Sequence, residues 1–226
     1  MRNLGVIFDF NGTLFWDSDK HEKAWKTLSK NLRGNEFSDE ELQKYVHGRT
    51  NKSILQYMLR KDLDDENLAK LSNKKEQIYR DMCKEDIENF KLAPGAIKFL
   101  NYIKEKKISC TIATASQKEN LMFFWKSFKL DKWFDLNKIV YDDGSFLGKP
   151  EPDIYLKAAK ILGINTSDCI VIEDAFSGIE SAYRAKIGKI IAIAPKEKHE
   201  YFNSLETVNL VITDFNDLDK NILNKE

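Results

Sequence analysis

Six apolar runs of strand length recur along this chain, and what lies between them fixes the fold class. The runs are Leu4 to Phe8, Ile108 to Ala113, Ile139 to Tyr141, Cys169 to Ile172, Ile190 to Ile193 and Leu210 to Ile212. Helical patterns separate the later ones. Ala96, Phe99, Leu100 and Ile103 follow a Pro94-Gly95 start; Leu121 to Phe128 is a second pattern; Ile154 to Leu162 is closed by Gly163; and Ser177-Gly178-Ile179-Glu180, a capping-box pattern, opens a helix to about Ala185. Strand–helix alternation predicts an α/β domain built on a doubly wound parallel sheet covered on both faces.

One stretch breaks the alternation. Residues 17–91 contain no strand-like run and no proline. Ser38-Asp39-Glu40-Glu41 has capping-box spacing. Ile54, Met58 and Leu59 suggest one apolar helix face, and Leu71, Ile78, Tyr79 and Met82 another, with Gly34 and Gly48 as punctuation. The expected organisation is therefore an α/β core from 1–16 and 92–226 with a helical insert at 17–91. The polar end of the chain, from Asn216, is expected to fray.

Composition excludes several classes. Lys plus Arg and Asp plus Glu are both 36, so no basic surplus points to nucleic acid. The apolar runs, Ile190 to Pro195 among the longest, are too short for a membrane span. Met1-Arg2-Asn3 leads straight into a strand, without a signal-peptide pattern. Cys83, Cys110 and Cys169 are odd in number and widely spaced; Cys110 and Cys169 read as buried small hydrophobes. A cytoplasmic protein, expected to be a monomer, fits these features.

Chemistry-bearing residues stand at or just beyond the strand ends. Asp9 ends the first run and Asn11-Gly12-Thr13 follows, Gly12 allowing a sharp turn. Ala113-Thr114-Ala115-Ser116 ends the second run, where a hydroxyl can bond a phosphate oxygen. Gly148-Lys149-Pro150-Glu151-Pro152-Asp153 puts a lysine before a proline-bracketed helix start. Val171-Ile172-Glu173-Asp174 sets two carboxylates after a strand, oxygen ligands that suit Mg²⁺. Each has a plainer reading: Asp9 a turn residue, Thr114 and Ser116 an ordinary turn, Lys149 a solvated lysine, Asp174 a helix cap.

In this order the four segments resemble the motifs of the haloacid-dehalogenase-like hydrolase superfamily, whose first motif is usually Asp-x-Asp-Gly-Thr. The insert resembles the helical cap of the β-phosphoglucomutase-like and phosphatase branch, through His21 with Ala24-Trp25 and through Gly48-Arg49-Thr50-Asn51. The resemblance implies a Rossmann-like core and a nucleophile at Asp9 that takes a phosphoryl group. It implies Mg²⁺ held by Asp9, the Asn11 carbonyl and Asp174 with Glu173 in support, and a phosphate gripped by Thr114 and Lys149. It places substrate recognition at His21, Trp25, His47, Gly48, Arg49, Asn51, Lys52, Ala115 and Ser116. Trp25 also has a packing reading. The partner implied is a small phosphorylated metabolite, a sugar phosphate among the candidates.

The chain departs from the pattern at Asn11, where relatives carry the acid/base aspartate. An amide can donate a hydrogen bond but cannot shuttle a proton. Four readings follow: a phosphohydrolase using good leaving groups or another acid such as His21; a β-phosphoglucomutase-like isomerase; a catalytically weak module that binds a phosphorylated ligand; or other chemistry on the same fold. In the last, Lys52 is a remote counterpart of the cap lysine in relatives that cleave carbon–phosphorus bonds. The Glu173-Asp174 pair argues against metal-free carbon–halogen cleavage.

Overall fold

The computed structural model describes residues 4–46 and 50–223. The chain divides into two compact units, Met1–Trp16 with Lys91–Glu226, and Asp17–Phe90.

The first unit is built on six strands: β1 (Gly5–Phe8), β2 (Ser109–Gln117), β3 (Val140–Asp142), β4 (Cys169–Glu173), β5 (Lys189–Ile193) and β6 (Leu210–Ile212). They form one parallel sheet in the order β3-β2-β1-β4-β5-β6. β1 is flanked by β2 on one side and β4 on the other, so the winding reverses there. In such sheets ligands bind outside the carboxyl ends of the strands at the reversal. The side chains alternate across the sheet. Ile7 joins Val171 and Ala192 in a cluster with Ile154, Tyr155 and Ala158 of one helix and Ile179 and Ala182 of another. Phe8 points the other way, with ring centroids 6.2 Å from Phe99, 6.0 Å from Phe134 and 6.1 Å from Phe215. Both faces are thus covered, the doubly wound arrangement.

The second unit is helical: α1 (Ser18–Arg33), α2 (Asp39–Glu41) running into a π-helical turn at Leu42–Val46, α3 (Asn51–Leu59) and α4 (Asp65–Glu85). Its core gathers Trp25, Leu28, Phe37, Leu42, Ile54, Leu55 and Met58. Gly34 ends α1 in the left-handed conformation, and Ser38 and Glu41 form the reciprocal capping box. The α4 face differs from the expected apolar one. Its buried positions are Ser72, Lys75, Glu76, Tyr79 and Cys83, while Leu71, Ile78 and Met82 are half-buried. The polar stripe is tolerated because its groups partner one another: Lys75 Nζ lies 2.8 Å from Glu76 Oε1, and the Tyr79 hydroxyl donates to Asp17.

The first unit is completed by α5 (Ala96–Glu105), α6 (Lys118–Phe128), α7 (Asp153–Leu162), α8 (Phe176–Arg184) and α9 (His199–Asn203). Three further corrections concern local chemistry. Ser177 does not cap α8: the N-cap is Ala175, with no side-chain cap bond, and Ser177 lies inside the helix. Cys110 is half-buried, whereas Cys83 and Cys169 are buried. The chain after Asn216 packs rather than frays, with Leu218 and Leu223 buried as far as the described residues extend. Among the described residues no helix is long and apolar enough to cross a membrane.

The helical unit carries a pH-sensitive pair. Both terminal guanidinium nitrogens of Arg33, Nη1 and Nη2, donate to the Glu41 carboxylate, at 2.9 and 3.0 Å. These bonds, helped by the Ser38 N–H and the Tyr57 hydroxyl and opposed by burial, hold the Glu41 carboxyl down to about 2, against an ordinary 4.5. A depressed carboxyl stabilises the fold above its unfolded value and loses that contribution as pH falls through the folded one. The stability difference between wild type and Arg33→Met is therefore expected to shrink between pH 4.5 and about 2. Urea melts at fixed pH check this, and a difference independent of pH over that window contradicts it.

Candidate active site

Asp9 leaves β1 as the ladder ends, its N–H still donating to Ile172 O at 3.0 Å. The next residues make a tight loop. Gly12 N donates to Phe15 O at 2.7 Å and Phe15 N to Phe10 O at 2.9 Å. Phe10 is buried and stacks on Phe124 of α6 at 4.6 Å, which anchors the loop to the core. Gly12 has φ +80, and a Cβ there would stand 2.1 Å from Asp174 Oδ2. Only glycine both adopts this backbone and lets the Asp174 carboxylate reach the loop.

Four charged side chains converge at the carboxyl ends of β1 and β4. Lys149 Nζ is 2.6 Å from Asp9 Oδ1 and 2.5 Å from Glu173 Oε1, with its side chain 9% exposed. Burial works against the Lys149 ammonium, but the Asp9 and Glu173 carboxylates outweigh it and hold the ammonium well above the ordinary lysine range. Carboxylate oxygens of Asp9, Glu173 and Asp174 all lie within 4.8 Å of one another. Burial first, then repulsion from Glu173 and Asp9, raises the Asp174 carboxyl well above its usual range. Thr13 Oγ1 donates to Asp174 Oδ1 at 3.2 Å.

Glu173 is held from three sides. Its Oε1 accepts from Lys149 and from the buried Tyr155 hydroxyl at 3.1 Å, and its Oε2 accepts from the Ala175 N–H at 2.8 Å. Gly178 of α8 makes room for it: a Cβ there would sit 1.7 Å from Oε1.

Asn11 and the β2 segment meet on this side of the sheet. Ser116 Oγ donates to Asn11 Oδ1 at 2.7 Å, and Thr114 Oγ1 approaches the same oxygen at a long 3.4 Å. Thr114 is buried and Ala115 exposed. Thr114 to Ser116 lie inside β2 rather than beyond it, where the β2–β3 register shifts.

The helical unit has its own polar cluster. His21 Nδ1 is 2.9 Å from Lys75 Nζ, its Nε2 is 3.4 Å from Asp17 Oδ2, and its ring stacks on Tyr79 at 4.0 Å. Trp25 is buried in the unit's core with the Lys75 ammonium 5.3 Å from its ring. Asn51 Nδ2 donates to Glu76 Oε1 at 3.3 Å, and Lys52 is exposed on α3. His47, Gly48 and Arg49 lie outside the described residues.

The family model described as haloacid dehalogenase-like hydrolase matches residues 6–192. The chain belongs to the haloacid dehalogenase-like hydrolase family. It superposes on a solved structure, the haloacid dehalogenase hydrolase of family IA, variant 3, from Entamoeba histolytica, with a TM-score of 0.90 and 41% identity, covering 99% of this chain and 97% of that one. It is 26% identical to the phosphorylated carbohydrates phosphatase of Thermotoga maritima, covering 83% of this chain and 84% of that protein. It is also 26% identical to the β-phosphoglucomutase of Bacillus subtilis, covering 78% and 77%.

Among haloacid dehalogenase-like hydrolases the acid cluster fits a divalent cation on chemical grounds. Three carboxylates with oxygens within 4.8 Å of one another stand against one ammonium, a surplus of oxygen donors that a divalent cation would balance. The sequence alone does not assign Tyr155 or Gly178 to the site. An aromatic in a helix reads as core, and a glycine in a helix-opening pattern reads as local punctuation; neither pattern reveals a carboxylate across the fold.

The Gly178 contact has a measurable consequence. Gly178→Ala must displace the buried Glu173 carboxylate and should cost about 1–3 kcal/mol, the usual range for overpacking. Gly148→Ala, with nothing within 4 Å of its added Cβ, should stay within about 0.5 kcal/mol of wild type. Denaturant melts of the two variants check the contrast, and equal stabilities would contradict the geometry.

Proposed function

We propose that this chain is a phosphomonoester hydrolase acting on a small phosphorylated metabolite, with Asp9 as the nucleophile. The observation that carries the reading is the Asp9–Lys149 contact at 2.6 Å, in the acid cluster at the carboxyl ends of the strands. A carboxylate attacking a phosphate dianion meets like charge. A buried lysine fixed beside it lowers that repulsion and stabilises charge in the transition state. Attack by an Asp9 oxygen on phosphorus would form an acyl phosphate as the P–O bond to the leaving group breaks, the leaving oxygen departing as its anion and taking a proton from water, since Asn11 supplies none. Water attack on that phosphorus would then return Asp9 and release phosphate. Lys149 would hold phosphate oxygens, together with Thr114 and N–H groups of the loop after Asp9.

Asp9, Asp174 and the Asn11 carbonyl are the groups that would hold Mg²⁺, with Glu173 beside them. The ion, when bound, supplies Lewis-acid polarisation of the phosphoryl group. The names of the Thermotoga and Bacillus relatives favour a phosphorylated carbohydrate as the substrate class. By the same resemblance, substrate choice is assigned to the helical unit through His21, Trp25, Asn51 and Lys52, with His47, Gly48 and Arg49, and to Ala115 and Ser116. Hydrolysis is favoured over isomerisation because an isomerase must move protons at two hydroxyls, and Asn11 moves none.

Phosphate release from a panel of sugar phosphates and an aryl phosphate tests the reading. Turnover should require Mg²⁺ and vanish in excess chelator. Asp9→Asn should abolish it while leaving the thermal midpoint close to wild type, because an amide does not form the acyl phosphate. Wild-type turnover in that variant, or in chelator, overturns the assignment.

Asn11 sets the second expectation. Ser116 and Thr114 present hydroxyls to Oδ1, so a carboxylate at position 11 finds donors already in place. Asn11→Asp should raise turnover of substrates with poor leaving groups by up to ~10²–10⁴-fold, the usual worth of general acid/base catalysis. The gain should be small for aryl phosphates. Intact-mass analysis of the wild type should accompany the kinetics, since Asn11-Gly12 is prone to deamidation to aspartate. Equal rates for all substrates would show that another group supplies the proton or that the chain is not a phosphotransferase.

A further inference from the structure

The buried core of the first unit contains a phenol that neither packing nor the assigned chemistry explains. Tyr155 lies in α7 at 0% exposure, among alanine and isoleucine side chains of the cluster that covers one sheet face. A phenylalanine would fill the same space without a polar group to satisfy. The hydroxyl instead spends its bond on Glu173 Oε1, at 3.1 Å, the oxygen that also takes the Lys149 ammonium. The Tyr155 ring contacts the same lysine, with Lys149 Nζ 5.2 Å from its centroid. One side chain therefore touches both members of the pair that stands beside Asp9.

We infer that Tyr155 is a positioning residue: through its hydroxyl it fixes the Glu173 carboxylate, and through Glu173 it fixes where Lys149 presents its charge. The geometry gives three reasons. Glu173 Oε2 is held by the Ala175 N–H at 2.8 Å, which leaves the carboxylate free to turn about that contact unless Oε1 is also held. Lys149 is a long side chain whose ammonium cannot do this alone, because it must also face Asp9 and the phosphate. Tyr155 is set in a close-packed helix–sheet layer, so its hydroxyl position is rigid. With all these donors engaged, Glu173 acts on the lysine rather than as a principal metal ligand.

The inference rests on the hydrolase reading only for its rate measurements. The test compares wild type with Tyr155→Phe, which keeps the ring and removes the hydroxyl. In ¹⁵N-lysine-labelled protein the Lys149 ammonium resonance, assigned by its absence in Lys149→Met, reports the lysine directly. Tyr155→Phe should shift or exchange-broaden that resonance. It should also lower kcat for an aryl phosphate by about tenfold with little change in KM, a size in keeping with one hydrogen bond to a buried charge. In a Glu173→Gln background the same substitution should change kcat less than about twofold, because the path runs through Glu173. An unchanged resonance and kcat in Tyr155→Phe overturn the inference, as does an undiminished loss in the Glu173→Gln background. If the resonance moves but wild type shows no turnover with Mg²⁺, positioning of Lys149 by Tyr155 stands and the hydrolase reading falls.

Discussion

The Lys149 ammonium, held between Asp9 and Glu173, is the interaction on which the rest of the site depends. Burying a charge is costly unless it is paired and hydrogen-bonded. Here one cation is shared by two carboxylates at 2.6 and 2.5 Å, with a third carboxylate, Asp174, in the same cluster. The lysine is therefore locked in its charged form, and the cluster still carries surplus negative charge. That surplus of negative oxygen donors is what a divalent cation would balance.

The fold supplies this cluster by topology more than by local sequence. Asp9 and Glu173 come from adjacent parallel strands whose carboxyl ends face the same way, Phe8 pairing with Ile172 in register. Lys149 arrives from the segment entering α7, and Tyr155 lies in the first turn of that helix. Two glycines permit the approach of carboxylates that any side chain would block: Gly12 against Asp174 and Gly178 against Glu173. Gly178 is an absence of volume at a close contact; Gly12 is that and also adopts the left-handed backbone of its turn.

Much of this was legible in the sequence, for identifiable reasons. Every strand of the sheet was visible as an apolar run, because strands buried on both faces cannot alternate with polar residues. Gly163 and Gly34 marked helix ends because both adopt a left-handed conformation there. Asp9, Glu173 and Asp174 were legible because carboxylates follow apolar strands, and Lys149 because prolines bracket its helix entry; the structure brings the four side chains together. What escaped was long-range pairing. The buried face of α4 is polar because Lys75 and Glu76 satisfy each other, which periodicity cannot show. Ser177 matched a cap pattern, but the Glu173 carboxylate takes the Ala175 N–H and α8 begins before the serine. Tyr155 was hidden for the same reason: its function depends on an oxygen that lies 18 residues away in the chain.

Asn11 then has a physical logic under the hydrolase reading. A carboxylate at that position would add a further negative charge two residues from Asp9, whose carboxylate already belongs to the acid cluster. It would also repel the incoming phosphate. The amide avoids both penalties and keeps the hydrogen bond from Ser116. What it gives up is a proton on the leaving group, worth ~10²–10⁴-fold where the alcohol is a poor leaving group and little where it is a good one. The substitution thus trades proton transfer for weaker electrostatic opposition to an anionic substrate. Under the proposed hydrolase reading it would narrow the reaction toward phosphates whose leaving groups depart unaided, whereas an isomerase would have to move a proton at each of two hydroxyls.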